Sequence, residues 1–314
     1  MLPSLIALRR PPDQPPSAED IFSSSLGGIF TDDLQNQHGD DLDTIIVYRS
    51  QKYGELEFRT ADVSGEEQRR KFAHYLWNAG ILMAELVGGR PRENESRHSG
   101  IFMQHHYEED GWKDGKWWVG EEEDKLWNVQ SETAMELGAG VGLAGIVCAL
   151  SGAAEVTITD YPAPAIIDAI TTNVSKNLTS DLRPRITIQG HQWGDFNTPF
   201  AQSNAKRYTR ILAADCLWMP HEHHNLAHSM LHFLSPSPSA RVFVIAGFHT
   251  GRAKVAAFFE EVVPETGLEI GEIYEMDADG KRREWAKERD GGREDVSGRK
   301  KWLVVAWLRR KAAS

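Results

Sequence analysis

Residues 134–145 read Ala-Met-Glu-Leu-Gly-Ala-Gly-Val-Gly-Leu-Ala-Gly, and the chemistry legible in this chain starts there. A short apolar run carries a carboxylate, Glu136, and Gly138, Gly140, Gly142 and Gly145 follow closely. Glycines this dense let a backbone turn sharply and let another molecule approach it. Glu136, Gly138, Gly140 and Gly142 form E-x-G-x-G-x-G, while Gly140, Gly142 and Gly145 also satisfy G-x-G-x-x-G. A second carboxylate, Asp160, closes the next apolar run, "EVTITD" (155–160). A third, Asp215, opens "DCLW" (215–218), with the aromatic Trp218 three residues on.

Two ligands compete for such a loop. A nicotinamide dinucleotide fits G-x-G-x-x-G, with Asp160 holding a ribose. Glu136 argues against it, because a carboxylate beside the glycines repels a pyrophosphate. A cationic ligand without phosphate fits better. S-adenosylmethionine carries a sulfonium, an ammonium and a ribose, so Glu136 and Asp160 beside the loop suit it. "HEHH" (221–224) does not make a metal site of the H-E-x-x-H kind, because the fifth residue is Asn225. Glu222 instead suits the start of a helix after Pro220.

These residues need elements to place them. From 132 onward apolar strand-like runs alternate with helical periodicity. Strands are expected at "TAMEL" (133–137), "EVTITD", "RITIQG" (185–190), "TRILAADCLW" (209–218), "RVFVIAGFH" (241–249), "LEIGEIYEM" (268–276) and "KWLVVAWL" (301–308). Helices are expected at 142–151, 164–178, 221–234 and 253–262. Alternation of this kind predicts an α/β fold with a doubly wound, mostly parallel sheet. The last two strands lack a helix between them, which predicts an antiparallel partner at one edge and a loop or hairpin over 277–300. Upstream, 44–64 reads as a β-hairpin. Residues 65–89 read as a helix, with Phe72, Tyr75, Leu76, Ala79, Leu82, Met83 and Leu86 at three- and four-residue spacing. Residues 1–43 are expected to be mostly disordered, with a Pro-rich stretch at 9–20. Residues 90–116 read as an insertion, and "EEEDKLW" (121–127) as a short helix. The expectation is therefore a single domain over 44–314, with its core sheet in 132–310.

Bulk properties narrow the partners. The chain has 314 residues, 40% of them hydrophobic, and a net charge of −11. An acidic surface repels phosphate backbones, so nucleic acid is not expected as a direct partner. A basic protein segment matches better. Two cysteines, Cys148 and Cys216, are too few for a disulfide framework and read as small buried residues. No apolar run approaches a membrane span, and the N-terminal charges follow the first apolar run instead of preceding it. The expectation is a cytoplasmic monomer with no membrane association.

The motifs together resemble a known family. "MELGAGVGLAG" followed by "VTITDYP" resembles the seven-stranded class I S-adenosylmethionine-dependent methyltransferases. "LWNAG" (76–80), "TDYPAPAIIDAITTNV" (159–174), "QWG" (192–194) and "ILAADCLWMPHEHHNL" (211–226) are similar to the lysine and N-terminal protein methyltransferases. The resemblance is nearest the fungal branch, which includes nicotinamide N-methyltransferase-like proteins and the N-terminal and lysine methyltransferase of elongation factor 1-alpha. It implies a Rossmann-like sheet of seven strands with the last antiparallel, S-adenosylmethionine as cofactor, and a protein amine as acceptor. The implied acceptor is the N-terminal glycine and adjacent lysine of elongation factor 1-alpha. The resemblance also implies roles. Trp77 would wall the cofactor pocket; Gly138, Ala139 and Gly140 would line the methionine moiety. Asp160 would take the ribose hydroxyls, Tyr161 and Trp193 would lie by the adenine, and Ala214 would touch the cofactor with its backbone. Asp215 would face the amine. The family commonly has tyrosine where this chain has Trp218, which keeps a cation-attracting face and loses a hydroxyl. Nicotinamide is the alternative acceptor, since a pyridine nitrogen needs no deprotonation. A nicotinamide-cofactor oxidoreductase and a non-catalytic binding module are the alternatives from other classes.

Overall fold

The structure is a computed structural model that describes residues 2–10, 37–38, 44–61, 75–91 and 117–312. Its centre is an eight-stranded sheet. In chain order the strands are β6 (Thr133–Leu137), β7 (Glu155–Asp160), β8 (Ile186–Gly190), β9 (Arg210–Ala214), β10 (Arg241–Gly247), β11 (Leu268–Asp277), β12 (Arg282–Glu284) and β13 (Trp302–Arg310). The spatial order is β12-β11-β13-β10-β9-β6-β7-β8. Strands β8, β7, β6, β9 and β10 pair in parallel. Strand β13 is antiparallel to both β10 and β11. The expected seven-stranded sheet with a reversed last strand is present, and β12 adds a three-residue hairpin partner beyond β11.

The antiparallel pairing expected of the last two long strands is present at one side of the sheet, where β13 lies between β10 and β11. The apolar run of β13 explains why, since Leu303, Val304, Val305 and Ala306 are all buried. A strand flanked on both sides and covered on both faces reads as a continuous apolar run.

Side chains alternate across the sheet and divide the core in two. Phe243 and Ile245 face one cluster with Ile146, Ile158 and Ile170. Val242 and Val244 face the other, with Met135, Leu137 and Phe233. On the first face lie helices α1 (Asn78–Gly88), α2 (Glu121–Trp127), α3 (Leu143–Leu150) and α4 (Pro164–Asn177); on the second lie α5 (Pro199–Ser203), α6 (His223–Phe233) and α7 (Arg252–Ala257). Helix α7 continues through a π-helical turn, Phe258–Val262, into α8 (Val263–Thr266).

The expected helix over 65–89 is shorter among the described residues. Leu76 and Trp77 are extended and pair as β5 with β2 (Gln37–His38); α1 begins only at Asn78. Ten of its eleven residues are buried, so the helix carries no polar face to mark its start. Residues 62–74, including Phe72, lie outside the described residues, as do 92–116 with most of the expected insertion. Gly89 ends the helix at φ 73°, as expected of a glycine there.

The N-terminal hairpin is part of a three-stranded sheet. Strands β3 (Ile45–Ser50) and β4 (Gly54–Phe58) are joined by β1 (Ile6–Arg9), in the order β1-β3-β4. The start of the chain thus departs from the expectation of disorder over 1–43: Leu2 and Leu5 are buried in the core. The Pro-rich stretch beyond residue 10 lies outside the described residues. A buried polar cluster ties this sheet to α1. The Tyr48 hydroxyl and the Trp118 indole N–H (2.9 Å) both donate to Glu85, whose carboxyl burial pushes above its usual range. No described helix is long and apolar enough to cross a membrane.

Candidate active site

At the carboxyl ends of β6, β7 and β9 the sheet opens into a cavity of about 360 Å³. This is where ligands sit in open α/β sheets, because neighbouring connections diverge to opposite faces there. The glycine turn forms one side. Gly138, Gly140 and Gly142 have φ of 67°, 58° and 80°, a left-handed run that only glycine adopts without strain. A Cβ on Gly138 would sit 2.8 Å from the Cys216 sulfur and 3.0 Å from the Trp193 indole, so that wall of the cavity admits no side chain.

Of the expected site residues, Trp77, Glu136, Gly138, Ala139, Gly140, Asp160, Tyr161, Trp193, Ala214, Asp215 and Trp218 all line this cavity. Gly142 does not. It caps the start of α3, and a Cβ there would face Ile170 and Ile158 in the core. Its part is to shape the turn.

Asp160 is buried at the end of β7. Its Oδ2 accepts from the Gly140 amide at 2.7 Å and its Oδ1 from the Tyr161 amide at 2.6 Å. These bonds fix the carboxylate against the glycine turn and leave further lone pairs for a ligand. Burial pushes its pKa up to about 6, with the two amides opposing the rise. The group is ionised at neutral pH.

Glu136 behaves differently from the reading of its sequence position. Its Oε2 accepts from the Gly145 amide at 2.8 Å, in the first turn of α3. Burial pushes its pKa up to about 8, the Gly145 amide opposes this, and Asp160 nearby adds to the rise. It is mostly neutral at pH 7, so it acts by tying β6 to α3 more than by its charge. The direction gives a prediction. A carboxyl raised from 4.5 to about 8 contributes stability that is present below its unfolded pKa and is lost as pH rises through the folded one. Glu136→Gln keeps an acceptor for Gly145 and cannot ionise. Its melting temperature relative to wild type should therefore climb between about pH 4.5 and pH 8 and level off above that, by the equivalent of a few kcal/mol. Parallel thermal melts check this, and an offset independent of pH would refute it.

Asp215 opens the turn after β9, at φ 57°, a left-handed conformation that Asp and Asn tolerate better than most residues. It is 7% exposed. Its Oδ1 accepts from the Gly247 amide at 2.9 Å, and its Oδ2 lies 2.8 Å from His249 Nε2. His249 also packs on Trp77, with ring centroids 4.7 Å apart. The sequence reading missed His249. One signal was available: it follows β10, the neighbour of the strand that presents Asp215, at the same end of the sheet.

His191 was missed as well. It lines the cavity, burial pushes its pKa down to about 4, and its buried Nδ1 has no hydrogen-bond partner among the described residues. A buried polar atom of that kind calls for a partner, which water or a ligand can supply. His223 Nε2 lies 3.0 Å from the Leu217 carbonyl, which holds the turn after Asp215. Cys148 and Cys216 are buried, as expected.

The lining discriminates between ligands. Glu136, Asp160, Asp215 and Glu222 contribute four carboxyl groups, and no lysine or arginine appears among the described lining residues. A pyrophosphate would meet ionised carboxylates with no cation to offset them. A sulfonium and an ammonium would meet opposite charge, a ribose would meet Asp160, and an adenine would meet His191, Tyr161 and Trp193. The donor set fits S-adenosylmethionine and does not fit a nicotinamide dinucleotide.

Comparison with known proteins agrees. A lysine methyltransferase family model matches residues 62–264. The protein N-terminal and lysine N-methyltransferase efm7 of Schizosaccharomyces pombe is 29% identical over 210 residues, covering 65% of this chain and 68% of that protein. The protein N-terminal and lysine N-methyltransferase EFM7 of Gibberella zeae is 28% identical over 239 residues, covering 72% of this chain and 83% of that one. The protein N-lysine methyltransferase METTL21A of Xenopus tropicalis is 34% identical over 108 residues, covering 34% of this chain and 46% of that one.

Proposed function

The chain belongs to the lysine methyltransferase family, and from that membership we propose that its acceptor is the N-terminal glycine, with the adjacent lysine, of elongation factor 1-alpha. The enzyme is an S-adenosylmethionine-dependent protein N-methyltransferase. The acceptor assignment is supported by the relatives named for N-terminal and lysine methylation. It is supported by one observation above others: a cavity whose described lining holds carboxyl groups and aromatic rings but no lysine or arginine. The enzyme works as a monomer in the cytoplasm.

The cofactor supplies an electrophilic methyl group on a sulfonium. The residues of this chain bind and orient. Asp160 would hold the ribose hydroxyls, and Tyr161, Trp193 and His191 would lie by the adenine. Gly138, Ala139, Gly140 and the Ala214 backbone would border the methionine moiety, with Trp77 as a wall. Asp215 accepts a hydrogen bond from the incoming amine, and Trp218 offers it a π-face. The attacking nitrogen must be neutral and aligned. An α-amine has a pKa near 8 and a lysine near 10.4, so the α-amine loses its proton more readily. Burial in the cavity lowers both. A pyridine ring nitrogen carries no N–H, so in nicotinamide Asp215 could meet only the carboxamide and not the attacking atom.

The test is transfer of labelled methyl from S-adenosylmethionine to purified elongation factor 1-alpha, with nicotinamide in a parallel reaction. Label at the N-terminus of the factor, located by peptide mass, is expected. Label in methylnicotinamide alone would overturn the acceptor assignment.

A further inference from the structure

We propose that His249 is a positioning residue for methyl transfer: its imidazole N–H holds the Asp215 carboxylate in the one orientation in which it meets the acceptor amine. This rests on the reading of Asp215 as the group that faces that amine.

Three observations carry it. The first is the geometry at Asp215. One oxygen is fixed by the Gly247 amide at 2.9 Å and the other by His249 Nε2 at 2.8 Å. A short carboxylate bonded at both oxygens cannot rotate, and its remaining lone pairs point in set directions. The second is the seat of the imidazole. A Cβ on Gly247 would lie 2.4 Å from His249 Nε2, so the ring lies directly over a backbone that must be glycine. It also packs on Trp77, with ring centroids 4.7 Å apart, and Trp77 is itself a wall of the cavity. The ring therefore spans the space between Asp215 and that wall.

The third is how the segment around it is held. Phe248, the preceding residue, is buried. The Arg252 guanidinium lies 4.2 Å over its ring, and Trp285 stacks on it at 6.3 Å with planes 15° apart. Arg252 is itself clamped by Glu275, at 2.6 and 3.0 Å, and by Glu294, at 2.6 and 2.7 Å. Glu275 is fully buried and also receives Arg283 and Arg289. Paired guanidinium–carboxylate forks are rigid as well as strong. The excursion after β11, which supplies Arg283, Arg289 and Glu294, thus fixes the backbone from which His249 reaches Asp215.

The substitutions His249→Ala and His249→Gln separate positioning from folding. The glutamine amide N–H can take the place of the imidazole N–H; alanine has no donor. Methylation of elongation factor 1-alpha is measured as kcat and KM, and S-adenosylhomocysteine affinity by calorimetry. His249→Ala should lower kcat about 30-fold, since small misplacements of a positioned group cost one to two orders of magnitude. Its S-adenosylhomocysteine affinity should match wild type, and His249→Gln should restore most of kcat. A wild-type kcat in His249→Ala overturns the proposal. So does a parallel loss of cofactor affinity in both variants, which would mean that the ring only supports the fold. Failure of the acceptor assignment shows separately, as a wild-type enzyme that binds S-adenosylhomocysteine and labels no protein.

Discussion

Asp215→Asn should lower kcat by about two orders of magnitude while leaving S-adenosylhomocysteine affinity unchanged. Asparagine is the informative substitution at this position. The residue sits at φ 57°, where asparagine is tolerated and alanine is strained. Its Oδ1 still accepts from the Gly247 amide, so that buried donor keeps its partner. What is lost is the charge and one acceptor. The side-chain amide now presents N–H toward either His249 or the amine, and neither is an improvement, since both also donate. An amine developing positive charge then meets a neutral dipole where it met a carboxylate. Asp215→Ala should lose as much turnover and in addition some stability, about 1–3 kcal/mol, because the Gly247 amide is left without an acceptor. Steady-state kinetics with calorimetry decide the matter. Unimpaired turnover in Asp215→Asn would remove this residue from the reaction.

Asp160→Ala should weaken S-adenosylhomocysteine binding about 100-fold or more. A carboxylate that takes two ribose hydroxyls makes charge-assisted bonds in a buried place, and their loss is worth roughly 3 kcal/mol. The effect also has a pH signature. Burial raises the group to about 6, and the ligand hydroxyls bind its ionised form. Wild-type affinity should therefore fall as pH drops through about 6, and Asp160→Ala should show no such fall in that window. Stability runs the other way. A raised carboxyl contributes stability that is complete below its unfolded pKa and is lost as pH rises through about 6. The ligand-free variant is thus relieved of that loss at neutral pH, although the Gly140 and Tyr161 amides forfeit their acceptor. Equal calorimetric affinities for the two proteins would show that Asp160 does not hold the ribose.

Sequence alone went far with this protein because its catalytic parts lie where strands end. The strand from Thr133 to Leu137, the glycine turn and Asp160 are close together in the chain, and left-handed turns have a strong signature in residue type. Alternating strand and helix periodicity fixed the order of elements and placed Asp215 after β9. Two kinds of fact were out of reach. One is ionisation: Glu136 looked like a charge, and only its burial, with Asp160 nearby, makes it mostly neutral at pH 7 against the opposing Gly145 amide. The other is any contact between distant residues. Trp77, Asp215, Gly247 and His249 lie on three different segments, and nothing in their spacing says that they meet. The insertion of β13 between β10 and β11 is of the same kind, since pairing partners are chosen by packing across the sheet and not by neighbours in the chain. Local backbone preference is written in residue type, so the turn, the strands and the cofactor-side residues could be read directly. Burial, charge state and the seat of His249 depend on what the folded chain brings alongside, and only the tertiary structure decided them.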